Sequence, residues 1–111
     1  EAQDGHGLTP LHLAAMYGRV ELVRELLRTD AGRPAADIET QDNAGNTPLH
    51  IAAQCGRDNV VEELLRPYAV EDRSTAISSE NGDRKTPLDL AEEIGAANVI
   101  ALLKAARAPN W

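Results

Sequence analysis

The chain contains no phenylalanine, and tryptophan, methionine and cysteine occur once each. Aromatic residues make up 3% of its 111 positions, which excludes a core built on large rings. Leu, Ile, Val and Ala must supply the burial, at about 1.5–3 kcal/mol for each large aliphatic side chain taken fully out of water. A lone Cys55 closes no internal disulfide, so a reducing, intracellular setting (cytoplasmic or nuclear) is expected rather than a cross-linked secreted scaffold. No apolar run approaches the length of a membrane span, and no signal peptide is visible, so no membrane insertion is expected. Positive charge is the scarcer sign: Lys+Arg 11 against Asp+Glu 18 gives a net charge of −7. That balance argues against nucleic acid or anionic membranes as main partners and favours a protein that is neutral or basic at the contact. The chain opens on Glu1 rather than Met, so a piece of something longer is expected.

What is present is a motif written three times. Gly7-Leu8-Thr9-Pro10-Leu11-His12-Leu13-Ala14-Ala15-Met16-Tyr17-Gly18 returns as Gly45-Asn46-Thr47-Pro48-Leu49-His50-Ile51-Ala52-Ala53-Gln54-Cys55-Gly56, and more loosely as Arg84-Lys85-Thr86-Pro87-Leu88-Asp89-Leu90-Ala91-Glu92-Glu93-Ile94-Gly95. Each copy describes a short helix. A threonine accepts from the free amides of the first turn, and a proline follows where a missing N–H costs nothing. A glycine that tolerates the left-handed conformation ends it. A second helix follows each time, as in Val20-Glu21-Leu22-Val23-Arg24-Glu25-Leu26-Leu27, with an apolar stripe too wide to bury alone. Each unit therefore needs a neighbour.

Thr-Pro-Leu-His-x-Ala-Ala-x-x-Gly followed by Val-Val-x-x-Leu-Leu resembles the ankyrin repeat, over nearly the whole chain. The resemblance implies an all-α solenoid of stacked helix-turn-helix units with short projecting β-hairpins. It also implies a module that binds other proteins without catalysis or cofactors. Three repeats are expected in one domain, about 4–34, 35–73 and 74–108, behaving as a monomer. Successive threonines lie 38 and 39 positions apart where the ankyrin unit has about 33, so both connections carry insertions, placed at 29–34 and 68–74. Thr75-Ala76-Ile77 onward reads as the last hairpin, with Ile77 in the place of Ile38. Because Arg84 stands where Gly7 and Gly45 stand, that finger is expected to turn differently. Asp89 and Glu92 put charge where neighbours would otherwise pack, which resembles a C-terminal capping repeat, whereas the first repeat has no capping changes.

Candidate chemical groups read as structural. The resemblance implies that His12 and His50 hydrogen-bond to backbone and link adjacent repeats; since helices in contact lie about 8–10 Å apart, two such histidines do not easily share one metal ion. Cys55 falls five residues after His50, on another helix face, so the two make no nucleophile and base. Glu62-Glu63, Glu71-Asp72 and Glu92-Glu93 splay apart and read as solvated faces. Arg73-Ser74-Thr75 and Ser78-Ser79 read as polar loop residues, with phosphate acceptance as the alternative. The chain is expected not to be an enzyme.

Carried over position by position, the family's contact surface falls on the fingertips Gly5, His6 and Leu8; Asn43, Ala44 and Asn46; and Gly82, Asp83 and Lys85. On the first helices it falls on Met16 and Tyr17, Gln54 and Cys55, and Glu93 and Ile94. All are expected to be free of packing constraints. Leu8, Met16 and Tyr17 form an apolar anchor, given the enrichment of Tyr and Met at interface centres, that grades into an acidic end around Asp83, Glu92 and Glu93. The alternatives are that Met16 and Tyr17 only pack against the finger base, that the inserted loops with Tyr68 and Glu71-Asp72 make the contact, or that the segment is a regulatory or scaffolding part of a larger enzyme, channel or effector, packed against its own chain.

Overall fold

Why each motif copy becomes a helix is visible at its first turn. The Thr9 amide donates to Nδ1 of His12 at 3.1 Å, and the His12 amide returns to Thr9 Oγ1 at 3.4 Å, closing a reciprocal capping box. Thr47 and His50 repeat it at 3.2 and 3.3 Å. In the third copy Asp89 takes the histidine's place, its Oδ2 accepting from the Thr86 amide at 3.0 Å. At the other end Gly18, Gly56 and Gly95 stand at φ 70, 69 and 70°, the left-handed region open to glycine.

The computed structural model describes residues 6–28, 38–66 and 76–107. The described residues form α1 (Pro10–Met16), α2 (Val20–Leu27), α3 (Pro48–Gln54), α4 (Asp58–Leu65), α5 (Pro87–Ile94) and α6 (Ala97–Arg107). Expectations for Gly5, for both insertions, for Tyr68 and Glu71-Asp72, for Arg73-Ser74-Thr75 and for the end from 108 onward lie outside the described residues.

The helices form two layers. Within each pair, α1 packs on α2, α3 on α4 and α5 on α6. Across pairs, α3 sits between α1 and α5, and α4 between α2 and α6. Ala14, Ala15, Ala52, Ala53 and Ala91 are buried in the inner layer, where their small side chains allow close approach of the helices. Leu11, Val23, Val60, Val61, Leu64, Val99 and Leu103 belong to the same buried core. The all-α expectation holds, and packing is local from pair to pair.

The described residues of the fingers contain no strand, and much of each expected hairpin (1–5, 29–37 and 67–75) lies outside the described residues. Asp42 Oδ1 accepts from the amides of Ala44 and Asn46, both at 2.9 Å, so those donors are spent inside the turn. Backbone hydrogen bonds join each finger to the next: Asn43 N–H to the His6 carbonyl at 2.9 Å, and Gly82 N–H to the Ala44 carbonyl at 2.7 Å. Ile77 and Ile38 both pack on the core, as their alignment implies, but Ala76 and Ile77 are helical whereas Ile38 is in a turn.

Two sequence readings are corrected. Arg84 does not turn its finger differently, because it adopts φ 62°, beside 80° at Gly7 and Gly45. The Asn81 side chain accepts from the amides of Asp83 and Lys85 at 2.9 and 3.0 Å, reproducing the turn of Asp42. The reason lies in what comes next. A Cβ on Gly45 would meet the Gly82 amide nitrogen at 2.8 Å, so glycine is needed there for space as well as for φ. Among the described residues no further finger follows Arg84, and only the conformational cost remains. Glu63, read as part of a solvated face, is buried: its Oε2 accepts from Arg24 Nη2 of the first pair at 3.0 Å and from Arg66 Nε at 3.2 Å.

Candidate partner-binding surface

One shared register near the end of each inner helix is occupied by Tyr17, Cys55 and Ile94, the first two as C-caps and the third as the last helical residue. Tyr17 is 62% exposed, Ile94 52%, and Cys55 is exposed as well. Helices packed side by side stand about 8–10 Å apart, so the three make a column of apolar or weakly polar groups running along the stack. One register earlier are Met16, Gln54 and Glu93. Gln54 and Glu93 are exposed, whereas Met16 is half-buried against the core and its carbonyl accepts from Arg57 Nε of the next pair at 3.1 Å. Tyr17, not Met16, is therefore the free member of the expected anchor. Leu8 is half-buried.

The fingertips divide in the same way. His6, Asn43 and Asp83 are exposed. Asn46, expected to be free of packing, is held on two sides: its carbonyl accepts from His12 Nε2 at 2.7 Å, and its Oδ1 accepts from Asn81 Nδ2 at 2.9 Å. Lys85 is likewise occupied, its carbonyl by His50 Nε2 at 2.9 Å and its ammonium by Glu93. The Lys85–Glu93 ion pair brings a finger onto the inner-helix surface of the third pair. Together with Asp89 and Glu92 it lines one open depression. Asp89 belongs to this acidic end through that geometry, although sequence reasoning placed it only as a capping change. Glu93 holds the Lys85 amine above its ordinary range, by hydrogen bond first and charge second.

Electrostatics also define the histidines. Since the threonine amide donates to Nδ1, that nitrogen is the acceptor and the proton sits on Nε2, which donates to the next finger's carbonyl. Burial pushes the His50 imidazole below its usual range, partly opposed by its hydrogen bond to the Lys85 carbonyl. Both ring nitrogens of each histidine are engaged within the protein, which fits them for bridging adjacent units.

Arg57, Glu63 and Asp89 are the contributions missed from sequence. A signal existed for Glu63: Glu25 with Arg28 and Glu63 with Arg66 repeat the same three-residue spacing at the same register.

Residues 1–75 match a family model of ankyrin repeats (3 copies). The search of curated proteins gave no match. Helix pair α5–α6 lies beyond the matched stretch, yet keeps the Thr86 capping box and the left-handed Gly95. With a match over more than half its length, and with stacked helix pairs bridged by His12 and His50, the chain belongs to the ankyrin repeat family.

Proposed function

We propose that this chain is a protein-interaction module that grips its partner along the exposed column Tyr17, Cys55 and Ile94 and the fingertips beside it. Ankyrin repeats are in general protein–protein interaction modules and a non-catalytic fold. The observation that carries the finer reading is the column itself, since two of its three members are large apolar side chains more than half exposed. Its acidic end, with Asp83, Asp89, Glu92 and Glu93 exposed, suits a partner that sets an apolar group against Tyr17 and a basic group over the third repeat. His6, Asn43 and Gln54 form the polar margin of this contact. The division into repeats at about 4–34, 35–73 and 74–108, the monomeric state and an intracellular setting belong to the same proposal. Among the described residues no helix is long and apolar enough to cross a membrane.

The test is affinity capture from native extract by three forms: the parent, a Tyr17→Ala/Ile94→Ala variant, and an Asn59→Ala control on the exposed outer helix. The reading expects one protein retained by the parent and the control and lost by the double variant, with helicity by circular dichroism equal in all three. Retention by the double variant moves the contact off the column.

A second reading, a regulatory or scaffolding segment packed against its own longer chain, is favoured by one observation: Leu22 on the outer helix of the first pair is 44% exposed.

A further inference from the structure

Asn81-Gly82 is the one place in the chain where glycine follows asparagine. The stack requires that glycine, since a Cβ at 82 would meet the Ala44 carbonyl oxygen of the preceding finger at 2.8 Å. The same lack of a side chain leaves the Gly82 amide nitrogen open to approach by Cγ of Asn81. Asn43, Asn46, Asn59 and Asn98 are each followed by a residue whose Cβ hinders such an approach.

Three hydrogen bonds hold the Asn81 side chain. Its Oδ1 accepts from the amides of Asp83 and Lys85 at 2.9 and 3.0 Å, which draws electron density away from Cγ and favours attack there. Its Nδ2, the leaving group of such an attack, donates to Asn46 Oδ1 at 2.9 Å. The attacking nitrogen is also engaged, since Gly82 N–H donates to the Ala44 carbonyl at 2.7 Å. Nucleophile and leaving group are therefore both tied to the second finger, and no ring closes while the two fingers touch. Gly82 and Asp83 are exposed, so water reaches the site.

The second finger shows what the product looks like. Asp42 holds the register of Asn81, and its Oδ1 accepts from the amides of Ala44 and Asn46 in the same way. An aspartate at position 81 keeps the corresponding two bonds. It loses the Nδ2 donor, which a half-turn of the Asn46 side chain replaces with an amide of its own.

We propose that Asn81 is a self-modification site, losing its side-chain amide to the Gly82 nitrogen when the third finger parts from the second, and leaving one further negative charge on the fingertip. In the open finger the Gly82 amide gives its proton to solvent base and its nitrogen bonds to Asn81 Cγ. The Cγ–Nδ2 bond breaks, and Nδ2 takes up a proton and leaves as ammonia. Water then opens the imide ring at either carbonyl, giving aspartate or the isomer whose main chain runs through Cβ and Cγ. The sum is amide plus water to acid plus ammonia, with no change of oxidation state. The reaction needs no partner, so it stands or falls separately from the Tyr17 column.

The experiment follows the Asn81 peptide by mass spectrometry while the whole chain is incubated in mildly alkaline buffer, native and in guanidinium chloride, with released ammonia assayed in parallel. The native chain is expected to react at Asn81 on the order of tenfold or more slower than the unfolded one. Asn46→Ala removes the acceptor of Nδ2 and keeps the backbone carbonyl that His12 uses. At equal helicity it should speed the native reaction roughly threefold or more and leave the unfolded rate unchanged. Asn81→Asp, the product made directly, should keep the parent's helicity and a Tm within about 4 °C of it. Equal native and unfolded rates, a native rate untouched by Asn46→Ala, or no product at Asn81 in either state would overturn the proposal. So would an Asn81→Asp chain that fails to fold, since the product would then dismantle the finger.

Discussion

At the scale of single residues, the capping chemistry was legible and the exceptions to it were not. Thr9, Pro10 and Gly18 act on their own turns, so their roles follow from local spacing. Arg84 acts in a conformation its residue type rarely takes, and only the neighbouring fingers explain why the site tolerates it. A left-handed non-glycine residue costs about 1–2 kcal/mol. Arg84→Gly is therefore expected to stabilise the chain by about 1 kcal/mol in urea unfolding, after the added freedom of glycine in the unfolded state is subtracted. Gly45→Ala should destabilise it by more than that, because a Cβ there meets the Gly82 amide as well as an unfavourable φ.

His50 supplies a pH dependence at the same scale. Burial lowers its folded-state pKa below the unfolded value of 6.5. The unfolded chain therefore binds the proton first as pH falls, and stability present above pH 6.5 is lost progressively below it. Thermal unfolding between pH 7.5 and 5.5, above the main carboxylate range, should show a falling Tm in the parent. His50→Gln should start from a lower Tm and show a flatter slope, since the buried imidazole at position 50 is gone. Equal slopes in the two chains would assign the dependence to other groups.

At the scale of elements, the helix pairs could be placed from their periodicity, but the partners of individual side chains could not. Glu62 and Glu63 are alike in sequence, yet Glu62 is exposed and Glu63 is 6% exposed beneath two arginines from different pairs. Helical phase sets which of them points inward, and the arginine that completes the site comes from 39 residues earlier. Glu63→Ala is expected to cost about 1 kcal/mol in denaturant unfolding, because the link between two helix pairs is lost while the exposed Arg24 and Arg66 regain water. Position in the stack sorts the apolar residues in the same manner. Val60→Ala should cost about 2 kcal/mol, whereas Leu22→Ala at the same register of the first pair should cost less than about 1 kcal/mol.

At the scale of the whole molecule, the net charge of −7 and the acidic surface of the third pair predict an association rate that falls as salt rises, while dissociation changes little. The candidate surface was legible as a set of registers but not as a ranking within it. The same spacing that marked Met16 and Tyr17 together could not separate a side chain packed on the core from one standing in solvent. Nor could it tell that Asn46 and Lys85 serve the stack through their carbonyls before they serve any partner. What remains free runs from Tyr17 past Cys55 to Ile94 and ends beside Asp89, Glu92 and Glu93.

The capture comparison across that column is the most direct measurement of the central claim. A protein held by the parent and by Asn59→Ala, and released by Tyr17→Ala/Ile94→Ala at equal helicity, is the predicted result. The same protein held equally by all three forms would contradict it.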